Sequence, residues 1–278
     1  MSLAKFMTVS EKITNVMKNL KEIGYESSLN EHQKNGVTKD CMYVNKEDDI
    51  WAVFYIDVLE SMKEEEIMDY ILKALNDESV SIDPHIVEDV DYIMENIHIG
   101  LQPESNENLV TRKSPFEGII EYLFFFYNET YSINLTPQIF DFIKGKGFSE
   151  DEIWDTALQH TCEDAVIGNI QDMMYEDLGV EAEKDELLSP LCVITSKSRI
   201  RGAACILNKE LIKNYAENFE LDEFYMIPSS VHEVIVIPAT MPKEDADKMV
   251  METNANAVSD DIRLGNEVFL VDVAEYVA

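Results

Sequence analysis

Residues 119–127 read Ile-Ile-Glu-Tyr-Leu-Phe-Phe-Phe-Tyr, a nearly continuous apolar run. Its length and aromatic content favour a buried strand over a helix. A chain that carries such a strand has to surround it, and this one has the means. Of its 278 residues 46% are hydrophobic, which excludes general disorder and leaves ample chain for a core. No apolar run reaches the roughly 18 residues that a membrane span needs. The first residues, Met1-Ser2-Leu3-Ala4-Lys5, lack the long apolar region of a signal peptide, so a cytoplasmic protein is expected.

The flanking patterns alternate between helix and strand. Ile13, Val16, Met17 and Leu20 recur at helical spacing, and Gly24 closes that helix. Asn35-Gly36 marks a turn before a strand at 38–44, and residues 51–56 make a second strand. Glu64, Glu65 and Glu66 suit the first turn of a helix that buries Ile67, Ile71, Leu72 and Leu75. Asp83-Pro84 opens another helix, carrying Ile86, Val90, Ile93, Met94 and Ile97. Thr136-Pro137 and the capping box Ser149–Glu152 start two more, the second expected to run on to about Gly179. Trp154 and the Met173-Met174 pair fall on its apolar stripe and read as core. In the last third, strands are expected at 191–195, 203–207 and 268–273, a hairpin at 223–238, and helices at 209–219 and 242–255. The polar stretch 102–114 is the best place for a connection between two parts, residues 1–105 and 106–278. The fold class is therefore α+β: mostly antiparallel sheet with helices on one face, in two closely packed parts.

Charge narrows the range of partners. The formal net charge is −33, and residues 47–107 hold 18 acids against Lys63 and Lys73. Such a surface repels phosphate backbones, so direct nucleic-acid binding is disfavoured and a protein with a basic surface is the better partner. Cys41, Cys162, Cys192 and Cys205 show no metal-ligand spacing and are expected as reduced, buried thiols. His85, Glu88 and Asp89 share a helical face, but acids at a helix start are accounted for by its dipole. Neither a metal nor a cofactor is expected.

Nucleotide, zinc, calcium and hydrolase signatures are missing, and 10 glycines leave little material for a phosphate loop. The unusual place is a pair of segments, 195–204 and 228–233. Two of the four arginines, Arg199 and Arg201, stand there beside Lys197. Strand alternation would put Lys197, Arg199 and Arg201 on one side, and facing Ser229, Ser230 and His232 they would make an anion pocket. The competing reading is a Pro-Ser-Ser turn whose hydroxyls bond the backbone, with the bases paired to acids. A Ser–His–Glu hydrolase is disfavoured, because His232 and Glu233 point to opposite faces of a strand.

These segments, LCVITSKSRIRGAACIL at 191–207 and FYMIPSSVHEVIVIP at 224–238, resemble a family of bacterial proteins of unknown function. The family's wording is close to "vlTNkxxlyGAaaiL" and "fyilPSSvHEvilvP", and Val250 to Asn254 matches its "V-x-x-x-N" segment. The chain departs at Ser196, where Asn is usual, and at Arg201, where an aromatic is common. The resemblance implies a bacterial cytoplasmic protein and brings no catalytic residue. Three readings follow in order: a non-enzymatic acidic interaction protein, a small-anion binder or enzyme at the two segments, and a nucleic-acid mimic.

Overall fold

The computed structural model describes residues 10–45, 51–76, 84–128, 131–171 and 189–278. The chain divides into two compact units, Met1–Pro84 and His85–Ala278. Every strand pairing among the described residues is antiparallel. No described helix is long and apolar enough to cross a membrane. The Asp83 cap and the Met173-Met174 pair lie outside the described residues.

In the first unit, helix α1 (Glu11–Glu22) buries Ile13, Val16 and Leu20 completely. Ser10 caps it by accepting from the Ile13 N–H. Strands β1 (Glu26–Lys34), β2 (Val37–Asn45) and β3 (Ala52–Tyr55) form one sheet in that order. Asn35 and Gly36 both take positive φ, 50° and 78°, which lets a two-residue turn join β1 to β2. The side chains Met42, Val44 and Phe54 meet Ile56 and Leu59 of α2 (Ile56–Ser61) and Ile67 and Ile71 of α3 (Glu64–Leu75). Strand β1, Glu-Ser-Ser-Leu-Asn-Glu-His-Gln-Lys, has almost no apolar signal and forms because β2 pairs with its whole length.

A short 3-10 turn, Pro84–Glu88, begins at the last residue of the first unit and leads in the second to helix α4 (Val90–Asn96), capped by Asp89. Where a helix was expected to include Ile97, the chain turns extended and β4 (Ile97–Pro103) begins there. β4 pairs with the expected buried strand, β6 (Ile119–Phe126), while β5 (Thr111–Lys113) and β7 (Ser132–Asn134) share the other edge of β6. The polar 102–114 stretch thus connects β4 to β5, the strands on either side of β6, within one sheet of this unit. Alternation along β6 divides its side chains. Leu123 and Phe125 enter the main core with Ile97, Ile99 and Leu101, whereas Tyr122, Phe124 and Phe126 line up on the other face.

Helices α5 (Pro137–Gly145) and α6 (Glu150–Glu163) start at Thr136 and at the Ser149–Glu152 capping box, as the sequence indicates. Helix α6 stops at Glu163, short of the expected 179, and β8 (Ala165–Asn169) follows. A five-stranded sheet then forms in the order β12-β10-β11-β9-β8, from β9 (Cys192–Ser196), β10 (Glu223–Ser230), β11 (Glu233–Pro238) and β12 (Phe269–Asp272). Phe224 and Met226 of β10 join the main core, with Tyr215 of α7 (Lys209–Asn218) edge-on to Phe224. Tyr225 packs on the opposite side with Ala246 and Val250 of α8 (Lys243–Ala257). The chain ends in α9 (Val273–Val277). Residues 203–207, expected as a strand, belong to a 3-10 helix, Gly202–Leu207. Five successive residues, Gly202 to Ile206, are buried, so no solvent face remains for strand alternation. The four cysteines are free, and burial raises the Cys192 thiol to about 11.

Candidate functional site

The two conspicuous segments do meet, and backbone hydrogen bonds join them. After β9 the chain reverses at residues 197–201, with Arg199 and Arg201 at φ of 58° and 53°. Left-handed backbone costs an arginine about 1–2 kcal/mol, so the surroundings must impose it. The Arg199 N–H donates to the Ser196 carbonyl at 3.0 Å. The Ser196 hydroxyl donates to the Ile200 carbonyl at 3.1 Å. The Arg201 N–H donates to His232 Nδ1 at 3.2 Å, and Thr195 Oγ1 donates to the His232 carbonyl at 2.7 Å. Gly202 completes the closure. A Cβ there would stand 2.2 Å from the Ser196 nitrogen, so only glycine fits.

The expected one-sided row of cations does not form, because the segment is a turn and not a strand. The Lys197 ammonium donates to the Glu163 carbonyl at 2.7 Å and lies 3.8 Å from Asp164, closing the C-terminus of α6. The Arg201 guanidinium turns the other way. It donates to Tyr122 Oη at 2.7 Å and Asn134 Oδ1 at 2.5 Å, and it lies 4.9 Å from the Phe124 ring centre. Ser230 is buried and its hydroxyl accepts the His232 N–H at 3.1 Å, a turn-forming bond. Ser229 is half-buried at the irregularity between Ile227 and Ser230 in β10. Of the six residues singled out, the fold brings Arg201, Ser230 and His232 into one network and carries Lys197 to the edge of a neighbouring groove.

That groove has a volume of about 860 Å³. Its lining includes Glu95 and Asn96 from the last turn of α4, His98 of β4, Phe126 at the end of β6, and His160, Glu163 and Asp164 at the end of α6. Lys197 and Ser198 form one edge. The two imidazoles are 5.7 Å apart between ring centres, and His98 stacks on Phe124 and meets Phe126 edge-on. Each histidine spends its Nδ1 on a backbone carbonyl: His98 on Asn96 at 2.9 Å, His160 on Ile97 at 3.0 Å. A carbonyl only accepts, so both Nδ1 atoms carry the proton, and in the neutral rings Nε2 is left as an acceptor. Burial holds His98 below the ordinary imidazole range, with His160 pushing the same way against the Asn96 carbonyl and Asp164.

Two further features give the groove a negative field. Three carboxylates face one ammonium, and that ammonium is already engaged. Both α4 and α6 end there, so the carbonyl ends of two helices add partial negative charge. Among the described residues no three of its histidines and acids converge as metal ligands would. Sequence reading missed this site because its parts are far apart in the chain. His98 and His160 are separated by three strands, helix α5, most of α6 and the turns between them, and only the fold places them together.

No curated protein and no solved structure matches the chain. A family model does, over residues 5–272, and by that match the chain belongs to DUF5688, a family of unknown function.

Proposed function

We propose that this protein is a non-enzymatic interaction protein that recognises a partner through basic groups, and that the groove between α4 and α6 is where recognition centres. The observation that carries this reading is the groove's chemistry: Glu95, Glu163 and Asp164, two imidazole acceptors and one aromatic ring, against Lys197 alone. A small-anion pocket would need its cations to converge, and the ammonium of Lys197 and the guanidinium of Arg201 are bound to different partners. The overall charge of −33 supports the same reading by steering a basic protein toward the surface. It also supports the absence of direct nucleic-acid binding. The wording of residues 191–207 and 224–238 supports a bacterial, cytoplasmic origin.

The test is a pull-down from a lysate of the native host, run near physiological salt and at about 1 M, and read by mass spectrometry. Screening shortens from about 8 Å to about 3 Å between those conditions, which removes long-range steering. A stoichiometric basic protein retained only at the lower salt is the expected result. Capture that ignores salt, or of acidic proteins alone, would overturn the reading.

A further inference from the structure

The same groove has a more specific preference. Apart from Lys197, its charged and imidazole groups are acceptors: Glu95, Glu163, Asp164 and, in the neutral rings, the Nε2 atoms of His98 and His160. Neither Nε2 has a hydrogen-bond partner among the described residues, and neither is a buried orphan. A surface of acceptors over an aromatic floor suits a group that is all donor, and guanidinium is that group, with five N–H donors and no acceptor.

The molecule itself contains this arrangement one step away. Tyr122, Phe124 and Phe126 stand on one face of β6, with Phe124 and Phe126 ring centres 5.2 Å apart. Over Phe124 lies the Arg201 guanidinium, whose Nη1 donates to Tyr122 Oη and Asn134 Oδ1. Phe126, the next ring along, has no cation over it among the described residues and lines the groove instead. Glu95 of α4 and Glu163 of α6 line the same groove and offer carboxylate acceptors to a guanidinium there. From this we infer that the groove receives an arginine side chain of the partner, seated against Phe126 and held by the acids and imidazoles. The inference rests on the interaction reading above and names the residue type it recognises.

Lys197 gives the inference its sharpest consequence. Under an anion-binding reading, its ammonium is a ligand and its removal weakens binding. Here it competes with the incoming cation for Asp164, so its removal strengthens binding.

The experiment follows the His98 and His160 imidazole resonances of the full chain by NMR while N-acetyl-L-arginine amide is added. The controls are N-acetyl-L-citrulline amide, its neutral isostere, N-acetyl-L-lysine amide and inorganic phosphate. Saturable shifts are expected with the arginine compound, at least tenfold weaker binding with citrulline, and several-fold weaker binding with lysine. Lys197→Met is expected to tighten arginine binding several-fold, and Asp164→Asn to weaken it about fivefold. Glu95 is exposed, so Glu95→Gln supplies a weakened variant whose packing is undisturbed. Equal binding of arginine and citrulline, saturable shifts with phosphate, or weaker arginine binding by Lys197→Met would each overturn the inference. A basic partner captured equally by wild type and by Asp164→Asn would remove the groove's role and leave the interaction reading standing.

Discussion

The turn at residues 197–202 and the groove beside it share Lys197 and Ser198, yet they are built on opposite terms. In the turn, donors and acceptors are matched one to one: Arg199 with Ser196, Ser196 with Ile200, Arg201 with His232, Thr195 with His232. In the groove, acceptors are in surplus and no described donor meets the two imidazole Nε2 atoms. A matched set has no chemistry left to offer a ligand and defines shape. A mismatched set is where a ligand gains. The conspicuous wording of a sequence can therefore mark the rigid neighbour of a site instead of the site.

The largest way to break this contrast is Gly202→Ala. The added Cβ meets the Ser196 nitrogen at 2.2 Å and the His232 carbonyl at 2.8 Å, and backbone cannot step aside as a flexible side chain does. A loss of about 3 kcal/mol or more is expected. Denaturant unfolding followed by Trp154 fluorescence in a Trp51→Phe background reads it. An unchanged midpoint would mean that the turn tolerates a side chain and is not the fixed element described.

Next comes the frame of the groove. Thr161 Oγ1 accepts the Ile99 N–H at 2.9 Å and donates to the Ala157 carbonyl at 2.7 Å, which ties α6 to β4 and so His160 to His98. Thr161→Val keeps the volume but orphans a buried N–H, at a cost of about 2 kcal/mol. The His98 and His160 resonances should shift as well, whereas Gly202→Ala should move them less. The reverse order would show that the turn, not α6, sets the groove. At the far end of the same helix, Ser149→Ala removes the capping box and should cost about 1 kcal/mol with those resonances unmoved.

How much of this was legible follows from how local each cause is. The stripe Ile13, Val16, Leu20, the Asn35-Gly36 turn and the Thr136 and Ser149 caps were readable because neighbours in sequence decide them. Strand β1 was not, since its polar residues are held by pairing with β2. Residues 203–207 looked like a strand because their small apolar side chains suit any buried backbone. What makes them 3-10 is the contact of Gly202 with β9 and the His232 carbonyl, residues that sequence separates. The groove was the least legible. Its histidines were visible one by one, but its acceptor surplus depends on two Nδ1 atoms reaching the Asn96 and Ile97 carbonyls.

The smallest expected effect is also the most diagnostic of that surplus. Burial lowers the affinity of His98 for a proton in the folded protein, so the unfolded chain takes one up first as pH falls. A base with a depressed folded value contributes fully above its unfolded value, about 6.5, and its contribution drains away as pH drops toward the folded one. Phe124, Phe126, His160, Asp164 and the Asn96 carbonyl are the groups that set this balance. His98→Phe keeps a ring in the aromatic row and removes the titration. Measured against that variant, wild type should lose stability between pH 7 and pH 5, with His160 present in both proteins. A difference that stays flat across this range would mean that His98 protonates as readily in the fold as outside it. The groove would then hold a cation of its own at mildly acidic pH, and an arginine would find that position taken.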